Sequence, residues 1–533
     1  MNFFFDNIAQ YGSQVAVIDG DKKVTYTQLA VLIDNKKHHI VSMLSAKNAS
    51  VVTPHVAHEI QLNAGNDSAS ITKTVVAIVS KNNLETLVNY LALLQLRLPI
   101  IFISQSQLDS VSQASGSKGS GALVGNIEVS HIPEEHILNA FRVSALLVDH
   151  ELIKLTDCSV QSADSAIDMN IALLLSTSGS TGESKQVLLS YQNIQANVDS
   201  ICAYLPMQMT DVTITTLPFN YSYGLSIINT HLAIGACIVM TRFSVMQREF
   251  WLLFEQAKVT NFGGVPHSYD MLIRLKFTSK ALPNLRYFTQ AGGKLAAEKV
   301  KHLAAYATAE KKAFVVMYGQ TEATARMSYA FQDKLLLKPN TIGQAIPGTR
   351  LYLVDNQGSQ ITTPERQGEL IFCGDNVMIG YASSISDLRG RLALNNLQTG
   401  DLGYQDVDGD FFISGRIKRF IKLFGERISL DKVQNSLQQI ILDFPLACVG
   451  NDRTLYVVLE DKRQTDSDQA QLSTAENEAE RQQCVTTQVK TYVKSIGLHP
   501  NAVSIHFVAA IPMTQNAKID YGMLLTLMQE KSL

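Results

Sequence analysis

Residues 173–190 read LLLSTSGSTGESKQVLLS, an apolar segment, a polar loop and a second apolar segment. The apolar run Ile171–Leu175 stops abruptly at a stretch of Ser, Thr, Gly and Lys, and Val187-Leu188-Leu189 resumes the apolar pattern. Short apolar runs bounded by turn residues are typical of buried strands. We therefore expect two buried strands joined by a polar, glycine-containing loop.

The composition of this loop indicates that it binds phosphate. Its glycines let backbone N–H groups approach an anion closely, and its hydroxyls and its lysine add donors and a positive charge. The loop does not match the Walker pattern, because no Gly-Lys-Ser/Thr closes it. The alternative is a Ser/Gly-rich surface loop without a ligand. The candidate phosphate contacts are Thr177, Ser178, Gly179, Ser180, Thr181, Gly182 and Lys185.

The bulk composition narrows the class of protein. A chain of 533 residues exceeds one hydrophobic core, so two or more domains are expected. A net charge of −3 argues against nucleic-acid binding. The six cysteines are scattered without metal-ligand or redox spacing, which indicates free thiols in a reducing compartment. They are Cys158, Cys202, Cys237, Cys373, Cys448 and Cys484.

Neither a signal peptide nor a membrane span is predicted. The segment MNFFFDNIAQ lacks a basic region and a long apolar run. The longest apolar stretch, Tyr90–Ile103, is interrupted by Gln95, Arg97 and Pro99 and is too short and too polar to span a bilayer. The sequence therefore predicts a cytoplasmic protein.

Strand-like and helix-like segments alternate along most of the chain, which predicts an α/β fold. The expected strands are Thr74–Val79, Ile100–Ile103, Leu285–Phe288, Ala313–Met317, Leu351–Val354 and Leu370–Phe372, and the expected helices are Leu84–Leu96, Gln247–Val259 and Leu295–Ala307. Three polar segments, Ser45–Thr72, Ser110–Gly121 and Asp461–Arg481, are predicted to be loops or insertions.

The chain is predicted to consist of a large multi-subdomain α/β domain, residues 1–415, and a small α+β domain, residues 416–533. The small domain has its own pattern of elements. Its expected helices are Leu430–Ile441 and Gln482–Lys494, and its expected strands are Thr454–Leu459 and Val503–Val508.

The segment Tyr318-Gly319-Gln320-Thr321-Glu322 directly follows a predicted strand. Ligands of open α/β sheets bind at the carboxyl ends of the strands. Tyr318 is suited to stack on a base, and the Glu322 carboxylate is suited to bind Mg²⁺. The alternative is a strand-end turn with a solvated glutamate.

The chain contains four weaker motifs. Gly292-Gly293 precedes a predicted helix and allows a flat ring to pack on the backbone. Thr399-Gly400-Asp401 is interpreted as a turn whose carboxylate accepts bonds from a ribose diol, with an ordinary Asx turn as the alternative. A basic run with interspersed apolar residues spans 415–428, and a single lysine, Lys518, lies in the loop segment 511–520.

Taken in order, these segments resemble the acyl-adenylate-forming, or AMP-binding, superfamily over essentially the whole chain. Its members include acyl-CoA synthetases, luciferase-type enzymes and the adenylation domains of nonribosomal peptide synthetases. The resemblance implies a large domain with a small mobile C-terminal domain. It also implies that a carboxylic acid is activated with ATP and Mg²⁺ to an acyl-adenylate, and that the acyl group then passes to a thiol.

The resemblance also implies roles for the motif residues. The loop Thr177–Lys185 would hold the β- and γ-phosphates, and Thr321 and Glu322 would contact the α-phosphate and Mg²⁺. The adenine would lie among Gly292, Gly293 and Tyr318, and the ribose would be held by Asp401 and Arg416. Lys418 takes the hinge position. Lys518 would be the lysine of the adenylation step, and Lys422 would support the thiol-transfer step.

The acid-binding segment departs from the family's pattern. Asn220 or Tyr221 stands where family members often have a His, and we expect these residues, with Gly319, to contact the acid. No carboxylate occurs between Asp211 and Glu249 to pair with an α-ammonium group. The acid is therefore expected to be a simple aliphatic or aryl carboxylic acid, and an Asn here is suited to bond a hydroxyl of an aryl acid.

The sequence is compatible with two acceptor thiols. The first is CoA, which makes the chain an acyl-CoA synthetase, and the second is a phosphopantetheine carrier protein, loaded with an acyl or amino-acyl group in trans. A third hypothesis, a catalytically silent adenylate-binding protein, is disfavoured by the complete set Lys185, Glu322, Asp401, Arg416 and Lys518.

Overall fold

The computed structural model describes residues 2–45, 59–60, 71–105, 107–109, 127–128, 136–156, 167–176, 185–390, 394, 396–417, 419–423, 426–461, 475–514 and 518–530. The chain divides into two compact units. The larger unit comprises the described parts of Met1–Thr177, Ser184–Leu351 and Phe372–Leu397, and the smaller unit those of Tyr352–Ile371 and Gln398–Leu533.

The strands have the following bounds: β1 Val15–Asp19, β2 Lys22–Thr25, β3 Glu59–Ile60, β4 Ile71–Thr72, β5 Val76–Val79, β6 Ile100–Ile103, β7 Ile127–Glu128, β8 Ala145–Val148, β9 Glu151–Thr156, β10 Ile171–Ser176, β11 Gln186–Ser190, β12 Val212–Ile214, β13 Cys237–Met240, β14 Asn261–Gly264, β15 Tyr287–Gln290, β16 Ala313–Tyr318, β17 Ser328–Phe331, β18 Thr341–Ala345, β19 Arg350–Val354, β20 Gln360–Ile361, β21 Gly368–Cys373, β22 Gly380–Ala382, β23 Asn396–Gln405, β24 Phe411–Arg416, β25 Phe420–Leu423, β26 Glu426–Ser429, β27 Leu446–Gly450, β28 Leu455–Glu460 and β29 Val503–Val508.

The helices described have the following bounds: α1 Tyr26–Ser45, α2 Leu84–Gln95, α3 Ile137–Ala140, α4 Tyr191–Tyr204, α5 Ser222–Ala233, α6 Arg248–Gln256, α7 Pro266–Arg274, α8 Ala297–Ala309, α9 Gln332–Leu337, α10 Leu430–Ile440, α11 Ala475–Ser495 and α12 Tyr521–Glu530. No helix within the described ranges combines the length and the apolar character that crossing a bilayer requires.

Two sheets form the larger unit. In the first, the strand order is β2-β1-β13-β12-β14-β15-β16-β17-β18, and the strands from β1 to β16 along this order pair in parallel. In the second, the order is β22-β11-β10-β6-β5-β8-β9-β7. The strands β5 and β6 are apolar at every position because both faces of a parallel sheet are covered. In the first sheet, β14, β15 and β16 run parallel, so their carboxyl ends lie at one edge.

The smaller unit contains a sheet with the order β24-β23-β21-β19-β20, the hairpin β25–β26, and a three-stranded sheet β27-β28-β29. Its main core joins α10 and α11 to this last sheet through Val433, Leu437, Val457 and Val489. A second cluster packs α12 on the sheet through residues such as Leu524. The separate cores explain why the small α+β part forms a compact unit of its own.

The mixed α/β class and the division into a large and a small part are confirmed. Most predicted elements are found within a few residues of their expected bounds. The strand predicted at Leu285–Phe288 begins later, at Tyr287, and extends to Gln290. The described cysteines, 202, 237, 373, 448 and 484, are free thiols as expected, and Cys158 lies outside the described residues.

Part of one predicted loop is wrong. Within Asp461–Arg481, helix α11 already begins at Ala475. The first half of this helix is so polar that it shows no apolar periodicity, which is the signal on which the prediction depended. Within Ser45–Thr72, β3 and β4 form a short antiparallel pair, and the predicted loop Ser110–Gly121 lies outside the described residues.

Candidate active site

The two apolar segments of residues 173–190 form the predicted pair of buried strands. β10 and β11 pair antiparallel, with Ser176 opposite Gln186, and the Ser176 hydroxyl donates to Gln186 Oε1 at 3.1 Å. Lys185 is exposed immediately before β11. The other predicted phosphate contacts, Thr177, Ser178, Gly179, Ser180, Thr181 and Gly182, lie outside the described residues.

A tight turn follows β16 and carries the central motif. Thr321–Ala323 form one 3₁₀ turn, and the Met327 N–H donates to Tyr318 O at 2.8 Å, which closes the loop. A Cβ at Gly319 would overlap the Ala325 carbonyl oxygen. Gly319 is therefore required here because the backbone folds back on itself, and a role in contacting the acid stays a prediction.

The start of helix α5 brings the predicted acid-binding segment to this turn. Ser222, the first residue of α5, lies 3.2 Å from Thr321, hydroxyl to hydroxyl. Gly292 has φ +86°, and a Cβ there would lie 2.5 Å from Tyr221 Oη. Tyr221, Ser222, Gly292 and Thr321 thus converge, although they come from three separate motifs of the sequence.

The residues around this cluster differ in exposure. Tyr221 is buried, and burial raises the pKa of its phenol well above the usual value, so the hydroxyl stays protonated. Asn220 and Tyr318 are half-buried, and Gly293 is exposed. The Tyr221 hydroxyl lies beside Gly292, whereas the neighbour of Gly293 is Pro266.

Glu322 is held by a tyrosine that the sequence did not indicate. The Tyr381 hydroxyl donates to Glu322 Oε1 at 2.8 Å, and the Met378 N–H donates to the Glu322 carbonyl at 2.8 Å. Partial burial raises the pKa of Tyr381, and the Glu322 carboxylate raises it further. Tyr381 is opposite Val187 in the β11–β22 pair, so Glu322 is connected to the strand that follows Lys185.

The donor set at Glu322 fits Mg²⁺. Among the described residues there is no group of three or more His, Cys, Asp or Glu side chains able to enclose a metal ion. Mg²⁺ is usually bound by one or two carboxylates together with substrate phosphates and water. Glu322 is a single, hydrogen-bonded glutamate and has this character.

In the smaller unit, Asp401 and Arg416 come together. They are opposite each other in the β23–β24 pair, and Arg416 Nε lies 2.8 Å from Asp401 Oδ1. Asp401 is buried, whereas the Arg416 side chain is 59% exposed. The two residues assigned jointly to the ribose are therefore in direct contact.

The predicted turn at Thr399-Gly400-Asp401 is wrong, because these residues lie within strand β23. The Thr-Gly-Asp sequence that suggested a turn is explained by the local backbone. The Asp401 N–H donates to Thr399 Oγ1 at 3.1 Å, and Gly400 has φ +70°, so the strand contains a turn-like step.

The predicted lysines of the smaller unit occupy different local structures. Lys422 is an exposed residue of β25, and its N–H donates to Asp452 Oδ1 at 2.9 Å. Lys518 is half-buried beside the antiparallel bridge Met513–Ile519, and its carbonyl accepts from the Thr514 N–H at 2.7 Å. The predicted hinge residue, Lys418, lies outside the described residues.

The sequence did not identify Ser222 or Tyr381. Ser222 directly follows Tyr221, which was predicted as a contact of the acid. Tyr381 lies 59 residues after Glu322 and reaches it only through the pairing of β22 with β11, a contact that no local pattern of the sequence records.

Sequence comparisons relate the chain to known proteins. A family model described as AMP-binding enzyme matches residues 70–382. An oxalate–CoA ligase from Arabidopsis thaliana is 26% identical over 380 residues, which cover 67% of this chain and 71% of that protein. A D-alanine–D-alanyl carrier protein ligase from Bacillus licheniformis is 27% identical over 369 residues, which cover 65% of this chain and 69% of that protein.

A solved structure shares the fold. The chain matches o-succinylbenzoate coenzyme A synthetase from Bacillus subtilis, in complex with ATP and magnesium ion, with a TM-score of 0.68 and 17% identity. The match covers 98% of this chain and 99% of that chain. The resemblance drawn from the motifs is therefore confirmed, and because the family model matches more than half of its residues, the chain belongs to the AMP-binding enzyme family.

Proposed function

We propose that this chain is an AMP-forming acid–thiol ligase. It activates a carboxylic acid with ATP to an acyl-adenylate and pyrophosphate, and it then transfers the acyl group to a thiol, which we take to be CoA. The observation that carries the proposal is the convergence of Thr321, Ser222, Tyr221 and Gly292 in a chain of the AMP-binding family. Relatives named as a CoA ligase and a carrier protein ligase support a thiol acceptor.

The proposal assigns the phosphate, adenine and metal contacts as follows. The loop from Thr177 to Lys185 binds the β- and γ-phosphates, Thr321 contacts the α-phosphate, and Gly292, Gly293 and Tyr318 surround the adenine. Glu322 would hold Mg²⁺, which would supply positive charge to the phosphates. The hydrogen bond between the Ser222 and Thr321 hydroxyls, and the one that Tyr381 donates to Glu322, support these roles because they orient Thr321 and Glu322 in advance.

The ribose and the reacting groups are assigned four further residues. Asp401, held by Arg416, accepts from the ribose hydroxyls. Lys518 lies between the attacking carboxylate and the α-phosphate and offsets the negative charge that accumulates as they approach. Lys422 acts in the thiol-transfer step, and Lys418 is the hinge of a domain boundary near residues 415 and 416.

The acid is proposed to lack an α-ammonium group. No Asp or Glu occurs from residue 212 to residue 248, which includes the start of α5. A buried ammonium group without a counter-ion is costly, so an amino acid would bind poorly. Asn220, Tyr221 and Gly319 are the proposed acid contacts, and the protein is proposed to be cytoplasmic.

The decisive experiment combines the full chain with ATP, Mg²⁺ and a panel of carboxylic acids, with and without CoA. Pyrophosphate release and acyl thioester formation are measured separately, the latter by mass spectrometry. We expect pyrophosphate release that requires both an acid and Mg²⁺, and a thioester that requires CoA. ATP hydrolysis that is independent of every acid, or no reaction with any of them, would contradict the proposal.

The second candidate differs only in the acceptor. The carrier protein ligase among the relatives supports a phosphopantetheine carrier protein in place of CoA. In the same assay, an acyl-adenylate that accumulates with CoA but disappears when a phosphopantetheinylated carrier protein is added would favour this alternative.

A further inference from the structure

Arg326 is a completely buried arginine in the larger unit. Its residue exposure is 2%, and it is the largest fully buried side chain of the described chain. Its Nη1 lies 3.4 Å from Tyr204 Oη, and its guanidinium carbon lies 5.2 Å from the centre of the Tyr223 ring. Its Nε has no hydrogen-bond partner, and no described Asp or Glu forms an ion pair with it.

Such a cation is expensive to bury without an anion. Removing a charged group from water costs several kcal/mol unless an opposite charge and hydrogen bonds replace the lost hydration. One long hydrogen bond to Tyr204 and one ring face from Tyr223 offset only part of this cost. An arginine in these surroundings would be stabilised strongly by an anionic ligand group.

The backbone places Arg326 here under strain. The two preceding residues, Thr324 and Ala325, have φ of +63° and +154°, which is rare for residues with a Cβ. Asn376 holds this conformation, because its Nδ2 donates to Ala323 O at 2.8 Å and to Arg326 O at 3.2 Å. The Thr324 hydroxyl also donates to the Asn376 carbonyl at 2.7 Å. Strain that is held in this way accumulates at functional sites.

The guanidinium lies next to the candidate active site. Arg326 is four residues after Glu322 in the same closed turn. The ring that it contacts, Tyr223, is one residue after Ser222, which bonds Thr321. The Tyr223 hydroxyl is fixed at 2.7 Å from Thr289 Oγ1 on β15. The contact with Tyr223 therefore connects Arg326 to the start of α5, two residues after Tyr221, which is assigned to the acid.

We propose that Arg326 binds a second anionic group, a carboxylate or sulfonate, on the acid that is activated. The substrate class is then a small dianionic acid, of which one carboxylate is adenylated and the other group pairs with Arg326. This inference rests on the proposed function. It agrees with the lack of acidic residues from 212 to 248, because a positive guanidinium repels the ammonium group of an amino acid.

The test compares dicarboxylates with monocarboxylates of equal length, succinate with butanoate and adipate with hexanoate, by kcat/KM for pyrophosphate release. We expect the wild type to prefer the dicarboxylate of each pair by roughly 10- to 100-fold. In Arg326→Met this preference should disappear, chiefly because kcat/KM for the dicarboxylate falls. Arg326→Lys should retain part of the preference. Arg274→Met, which removes an exposed arginine of the same unit, should leave the preference unchanged.

A preference that persists in Arg326→Met, or a wild type that prefers the monocarboxylates, would overturn the inference and leave the proposed function intact. Acid-independent ATP hydrolysis would overturn both. Should Arg326→Met fail to fold, Arg326→Lys is used in its place, since an ammonium group cannot reproduce the planar contacts of a guanidinium. A ratio of dicarboxylate to monocarboxylate kcat/KM equal to that of the wild type would then overturn the inference. A thermal unfolding midpoint equal to that of the wild type shows that a variant is folded.

Discussion

At the scale of single residues, the Tyr381–Glu322 hydrogen bond makes the sharpest prediction. Tyr381→Phe removes the donor that orients the proposed Mg²⁺ ligand, and loss of such a supporting contact typically lowers metal affinity or activity by about tenfold or more. We expect a higher Mg²⁺ concentration for half-maximal pyrophosphate release. Tyr306→Phe is the matched control, because the Tyr306 hydroxyl has no hydrogen-bond partner. An unchanged Mg²⁺ dependence in Tyr381→Phe would refute the assignment.

The sequence predicted some residues of the candidate site and missed others. Thr321 and Glu322 were found because they follow a strand in a short motif, and the structure places them in the turn after β16. Tyr381, Ser222 and Arg326 were not found, because their importance comes from contacts across strand pairs and helix starts. Gly319 was assigned to the acid, yet its backbone position alone requires a glycine.

At the scale of elements, Arg419 connects the pieces of the smaller unit. Its Nε lies 2.6 Å from Asp431 Oδ1, an ion pair without hydrogen-bond geometry, and its Nη2 lies 3.1 Å from both Gln434 Oε1 and the Cys448 carbonyl. Its guanidinium also lies 3.5 Å from the centre of the Tyr521 ring. One half-buried side chain thus joins the segment before β25 to α10, β27 and α12.

Arg419→Met should loosen these elements, because Asp431 loses its ion-pair partner and keeps only the Arg416 N–H, at a cost of roughly 2 kcal/mol. Hydrogen exchange of the full chain should become faster in α10 and α12. Arg453→Met, which removes an exposed arginine of the same unit, serves as the control. Exchange in residues 521–530 that matches the wild type would show that Arg419 does not hold α12.

Element predictions failed where a polar sequence concealed regular structure. The start of α11 has no apolar face to recognise, and Asp401 resembles a turn residue because of its bond to Thr399 while it lies in β23. Continuous apolar runs such as β6 were predicted with correct bounds, since burial on both faces of a parallel sheet leaves a strong signal.

At the scale of the whole molecule, stability should depend on pH through His231. Burial lowers the pKa of this α5 histidine from 6.5 to about 4, and the nearby Arg326 also lowers it, against raising contributions from a bond to the Ile227 carbonyl and from Asp211. The unfolded chain therefore binds the proton more readily between these two values. The folded state should lose stability progressively as the pH falls from about 6.5 towards 4.

Thermal unfolding midpoints of the wild type and of His231→Gln at about pH 7 and about pH 5 test this effect. The decrease between the two conditions should be smaller in the variant, which has no group to protonate at this position. Equal decreases in both proteins would assign the acid sensitivity to other groups.

In the adenylation step proposed above, Lys518 acts together with Thr321 and Glu322. The most direct test is acid-dependent ATP–pyrophosphate exchange by Lys518→Ala, with Lys432→Ala, an exposed lysine of the same unit, as the control. We predict that Lys518→Ala loses exchange by roughly 100-fold or more, because charge between two approaching anions is no longer offset, while ATP still binds. Exchange at a near-normal rate in Lys518→Ala would contradict the account.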